Sequence, residues 1–154
     1  MSFSRPDFLR QAQRLSPLAQ LALRFALAVP FFRSGLTKWD SFGHLSDSAL
    51  YLFREEFRLH LFGTTMAYPF PVFMAHASGC AEILLPILLV LGLATRFAAL
   101  GLLAMTAIIQ LTVPDGWANF HLPWAAMALA LIVWGGGPLS VDGLLQRSMQ
   151  ARKR

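Results

Sequence analysis

The stretch from Phe73 to Leu93 limits this chain more than any other. It is predominantly apolar, with one carboxylate, Glu82, and no other formal charge. About 20 such residues, wound as a helix, cross ~30 Å of hydrocarbon. Within a bilayer only helices and closed barrels satisfy their own backbone groups. An ionised carboxylate near the middle of such a helix is costly unless a partner or water meets it. The sequence therefore asks what meets Glu82.

Three more apolar segments accompany it. Leu18 to Thr37 is interrupted by Arg24 and Arg33 and closed by Lys38-Trp39. Phe97 to Val113 carries Gln110. Pro123 opens the last, which ends at Trp134 before a Gly-Gly-Gly-Pro turn. Charged residues make up 14% of the chain, against about 25% in a soluble domain. The pattern predicts an all-α fold: a transmembrane four-helix bundle. Residues 1–16 read as a basic cytoplasmic tail, 17–145 as the membrane domain and 146–154 as a second basic tail. Ser16-Pro17 is a helix-starting pair, with serine as cap and proline at the first helical position. Ala26-Leu27-Ala28 resembles a cleavage site, but Arg24 would fall inside the apolar core of a signal peptide, where a charge does not belong.

Trp39 to Pro69 is the longest break. Leu50, Phe53, Phe57 and Leu61 recur at helical spacing between Asp47 and Phe62, with Arg54, Glu55, Glu56 and Arg58 largely turned away. This predicts an amphipathic helix in the first periplasmic loop, either lying in the membrane interface or capping the bundle. Basic residues set the orientation. Arg5, Arg10, Arg14, Arg96, Arg147, Arg152, Lys153 and Arg154 collect on one side, which places both termini in the cytoplasm. The net charge of +5 follows from that topology and does not call for nucleic acid. Trp39, Tyr68, Trp117 and Trp124 at one boundary and Trp134 at the other fit aromatic belts.

Little else signals chemistry. Cys80 is alone, so no disulfide framework is possible, and it reads as a small residue buried between helices. His44, His60, His76 and His121 lack metal-ligand spacing, so no metal is expected. His76 reads as a hydrogen-bonded core histidine. Hydrolase, zinc-protease and nucleotide-binding signatures are missing.

The polar residues inside the spans remain. At ~1.5 Å per residue from the cytoplasmic end, Arg24 lies about 10 Å deep, Glu82 about 16 Å, Gln110 about 20 Å, and Arg33 and His76 about 24–25 Å. Arg24, Ala28, Phe31, Gly35 and Lys38 share a face of the first span. Ala75, Gly79, Glu82 and Pro86 share a small-residue face of the second, where another helix approaches closely. These faces are expected to meet, with Glu82 pairing to Arg24. Arg33 points the opposite way and must snorkel or find another neighbour. Arg24, Lys38, Glu82, Arg33, His76 and Gln110 are the candidate intramembrane cluster, either a register lock or the wall of a ligand site.

Several short motifs occur in a telling order. They are Leu23-Arg24-Phe25, Gly35-Leu-Thr-Lys38, Gly79-Cys-Ala-Glu82, Leu91-Gly-Leu-Ala-Thr-Arg96-Phe-Ala-Ala99 and Gly137-Pro-Leu-Ser-Val-Asp142. Over roughly residues 17–145 the chain resembles the DoxX family of small four-span bacterial membrane proteins. The resemblance implies a membrane subunit like that of a thiosulfate:quinone oxidoreductase, or an accessory partner in redox or oxidative-stress complexes. The expected function is support of quinone-linked redox chemistry, with quinone as the possible cofactor and a quinone head group or anionic substrate held by the polar cluster. Any enzymatic role would be that of an oxidoreductase subunit. The alternatives are a non-enzymatic anchor or assembly subunit and a small-solute transporter. The expected partners are the lipid bilayer and a protein partner or second copy.

Overall fold

The computed structural model describes residues 7–153. Four helical segments are long and apolar enough to cross a membrane: Arg14–Leu36, Pro71–Leu91, Thr95–Thr112 and Pro114–Trp134. Helix α1 (Asp7–Leu36) has 30 residues and extends about 45 Å. Its start differs from the helix start expected at Ser16-Pro17. Pro17 lies inside the helix, where an interior proline forfeits a backbone hydrogen bond and kinks a helix without having to end it. Residues 1–6 of the expected basic tail lie outside the described residues.

Two short antiparallel hairpins follow, β1 (Trp39–Ser41) with β2 (His44–Leu45) and, later, β3 (Arg58–Leu61) with β4 (Thr64–Ala67). Between them lies α2 (Asp47–Tyr51), capped by Ser46 Oγ, which accepts from the Ala49 N–H at 3.2 Å. A wider helical turn continues α2 over Leu52–Glu56. The helix expected to reach Phe62 therefore stops at Glu56. From Phe57 the backbone is extended (ψ 129°), and Leu59 and Leu61 alternate with exposed His60, a strand period. Phe62 and Gly63, both at positive φ, turn the chain back. The inward side of the segment is as the periodicity requires. Phe53 is buried, Leu50, Phe57 and Leu61 are half-buried, and Arg54, Glu55 and Glu56 are exposed.

Helix α3 (Pro71–Leu91) starts on a proline and ends at Gly92 in the left-handed region (φ 69°). Helix α4 (Thr95–Thr112) follows after a tight turn. Two irregular turns over 114–121 lead into α5 (Leu122–Trp134), and α6 (Val141–Ala151) lies beyond the last span. The hairpins define one end of the bundle, the hairpin end, and α6 the other, the tail end. The core is Leu27, Ala28, Phe31, Leu89, Ala98, Ala99, Leu102, Ala128 and Leu131, drawn from all four spans. Most of each span points outward, including Phe25, Val29, Leu84, Ile87, Phe97, Leu100 and Val133. Cys80 is also exposed, on the outer face of α3 and not between helices.

Helices α1 and α3 come into close contact where Gly35 meets Glu82. A Cβ at position 35 would stand 2.9 Å from the Glu82 carbonyl carbon. Backbone cannot yield as a flexible side chain does, so Gly35→Ala must part the helices. The expected loss is about 1–3 kcal/mol, measured by reversible unfolding of the detergent-solubilised chain. An unchanged stability would show that the two backbones are not in contact there.

Candidate functional site

Glu82 does have a charged partner, and it is Lys38. The ammonium Nζ lies 2.5 Å from Glu82 Oε2. Ser78 Oγ donates to Glu82 Oε1 at 2.9 Å, and Lys38 Nζ also donates to Ser34 Oγ at 3.1 Å. Each serine sits four residues before its ionic neighbour, the spacing that puts two side chains on one helix face. Both side chains are largely hidden, Lys38 at 13% and Glu82 at 4% exposure. Burial of two charges is tolerable when they are paired and their remaining lone pairs and protons are engaged.

The pair forms part of the wall of a cavity of about 400 Å³ between α1, α3, α4 and the α2 segment. Phe31, Phe53, Tyr68, Met105 and Trp124 supply much of the apolar lining. Phe53 contacts Phe57 and Tyr68 edge-on, with centroids 5.2 and 5.5 Å apart, so the α2 segment roofs the chamber. Tyr68 Oη and Thr112 Oγ1 share a hydrogen bond of 2.5 Å. Ala77 and Ile108 also line the cavity and are exposed on the outer surface. The arrangement offers a cation, a carboxylate and hydroxyls in a chamber otherwise suited to an apolar ring.

The expected Arg24–Glu82 pairing does not form. Arg24, 2% exposed, is committed at the tail end. Its Nε donates to Leu89 O at 2.9 Å, Nη1 to Gly136 O at 3.1 Å and Leu139 O at 2.7 Å, and Nη2 to Val90 O. Leu89 and Val90 lie in the last turn of α3, where carbonyls lack intrahelical partners and the helix dipole is negative. Depth counted from Pro17 misplaces Arg24, because α1 continues well beyond that residue.

Asp142 completes this clasp. Its Oδ1 accepts from the Ala94 N–H and its Oδ2 from the Thr95 N–H and hydroxyl, each at 2.8 Å. Partial burial raises the Asp142 pKa, but the bonds from Thr95 and Ala94, with Arg24 nearby, outweigh it and hold the carboxyl below its ordinary value. Ser140 caps α6 by accepting from the Gly143 N–H at 3.0 Å.

The other candidates stand apart. Arg33 is exposed on the outward face of α1, as its angle from Arg24 predicts. His76 is half-buried, with Nδ1 2.8 Å from Val72 O and its ring edge-on to Trp39. Gln110 engages His121, with Oε1 and Nδ1 2.6 Å apart, and donates to Pro114 O. Of the six candidates, the structure joins Lys38 to Glu82. Ser34, Ser78 and Tyr68 join them without having been marked. The serines' spacing was a usable signal, whereas Tyr68 arrives through loop geometry.

The fold and the composition define a multi-pass membrane protein: four apolar helices in contact with the bilayer and two separate polar centres. The sequence matches the DoxX family over residues 19–115, more than half of the chain. The chain belongs to the DoxX family. It is similar to an uncharacterised protein of Haemophilus influenzae, 29% identical over 143 residues and covering 86% of each chain. No solved structure matches it.

If Lys38 and Glu82 are coupled, removing one partner leaves the other's charge stranded. Glu82→Gln is expected to lower stability by about 3 kcal/mol. The Lys38→Met/Glu82→Leu double variant should lose less than either Lys38→Met or Glu82→Leu, because no orphan charge remains. Losses that simply add across this cycle would show that the two groups act independently.

Proposed function

We propose that this chain is a membrane subunit that supports quinone-linked redox chemistry by seating a quinone-type head group in the hairpin-end chamber. The observation that carries this reading is the Lys38–Glu82 pair in the wall of an otherwise apolar cavity of about 400 Å³. A quinone ring needs apolar walls, and its carbonyl oxygens need donors. Lys38, Ser78 and Tyr68 supply donors, and Glu82 supplies a carboxylate that orients Lys38 or relays a proton. An anionic substrate would use the same ammonium. Exposed Ala77 and Ile108 support entry from the lipid side. In this reading the hairpins face the periplasm across a bacterial inner membrane and both termini are cytoplasmic. Reporters fused ahead of Ser2 and after Arg154 should then score as cytoplasmic and one at Asp47 as periplasmic; a periplasmic C-terminus would overturn that orientation.

A second reading, an anchor for a protein partner, draws support from the hairpin tips. Phe42 and Phe62 are fully exposed there, which suits a docking surface.

A photoreactive ubiquinone analogue tests the first reading. It should label the parent protein near Lys38 and Ser78. Labelling should fall about tenfold, equivalent to about 1.4 kcal/mol, in the Lys38→Met/Glu82→Leu variant, which keeps the chamber's volume. Equal labelling of parent and variant would remove the basis for a head-group site at this pair.

A further inference from the structure

A second cavity, of about 690 Å³, opens at the tail end between α6, the start of α4 and the Gly135–Gly137 turn. Its charge is one-sided. Arg96 and Arg147 both line it. Arg96 spends one donor on Val133 O at 3.2 Å, and Arg147 makes no side-chain hydrogen bond among the described residues. Asp142 is the acid in the lining, but both its oxygens are occupied by Ala94 and Thr95. The same bonds close the start of α4, so an incoming anion would meet guanidinium groups. Among the described residues neither arginine has a carboxylate within salt-bridge distance.

The apolar part of the cavity has a consistent position. Phe97 and Trp134 line it and are 78% and 65% exposed. Trp134 closes the last span, so the cavity sits at the level of the lipid head groups. Leu144, Leu145 and Met149 are exposed on α6 beside Arg147 and Arg152, the composition of a helix lying in the membrane interface. A soluble anion would use the arginines and leave the apolar rim wet. A phospholipid would use both, with its phosphate on the guanidinium forks and its first acyl carbons along the aromatic rings.

We propose that the tail-end cavity binds the phosphate of an anionic phospholipid, with Arg96 and Arg147 as its cationic contacts. The site is separate from the hairpin-end chamber and does not depend on what that chamber binds.

Native mass spectrometry tests it. The full chain is equilibrated in detergent with equal amounts of phosphatidylglycerol and phosphatidylcholine. The parent should retain phosphatidylglycerol in clear excess. Each of Arg96→Gln and Arg147→Gln should lower that preference about fivefold, the effect of removing one cation at an anionic membrane surface. Arg152→Gln, outside the cavity, should leave it unchanged. The exposed arginine variants should also match the parent's thermal midpoint in phosphatidylcholine micelles. Equal retention of the two lipids by the parent would overturn the proposal. So would an undiminished preference in the Arg96→Gln/Arg147→Gln double variant, or an equal loss in Arg152→Gln. Displacement of phosphatidylglycerol by millimolar inorganic phosphate would assign the site to the free anion and overturn the lipid.

Discussion

The guanidinium of Arg24 ties three parts of the chain together at the tail end of the bundle. From α1 it reaches two carbonyls at the end of α3 and two in the turn between α5 and α6. A buried cation without a carboxylate at bonding distance would ordinarily be expensive. Here the cost is offset by four carbonyl acceptors, two of them at a helix end whose dipole is negative. Gly92 is part of the same solution. Its left-handed conformation ends α3, and a Cβ there would collide with Ser140 and approach Arg24 Cζ. Asp142 then fastens the start of α4 through three hydrogen bonds.

The two ends of the bundle consequently differ in kind. At the tail end, directional bonds around Arg24 and Asp142 fasten the helices beside an open, basic cavity. The hairpin end rests on one ion pair, two serines and a set of aromatic edges around a cavity. Beside that pair the chamber leaves space where a ligand can take the place of missing contacts. The two polar centres also divide the labour that a single Arg–Glu pair would have had to combine. Arg24 fixes register, and the Lys38–Glu82 pair is left beside open space.

The broad architecture was legible because bilayer physics leaves few choices. Four runs of the right length, Pro71 opening α3, and Gly92 after it mark their elements directly. The close face of α3 was legible too, since Ala75, Gly79, Glu82 and Pro86 repeat at helical spacing and all four are buried. Choosing between Arg24 and Lys38 as the partner of Glu82 was a different matter. Both occupy the same face of α1, so periodicity cannot separate them, and axial position depends on where α1 begins. The β3–β4 hairpin was hidden for a related reason. Leu50, Phe53, Phe57 and Leu61 fit a helix, while Leu59 and Leu61 fit a strand, and the Phe62-Gly63 turn decides between the periods.

The Arg24 clasp also has a consequence for the order in which the protein is made. Its acceptors lie between 65 and 115 residues further along the chain. A ribosome adding about 5–20 residues per second leaves the first span waiting on the order of ten seconds for the last of them. Until Leu89 and Val90 emerge, the guanidinium has only water and lipid head groups to satisfy it, so the newborn helix rides high, with Arg24 stretched toward the nearer surface. Its final depth is reached when the carbonyls of Gly136 and Leu139 arrive. The first helix to emerge is thus among the last to settle, and assembly of the bundle finishes by drawing an arginine inward.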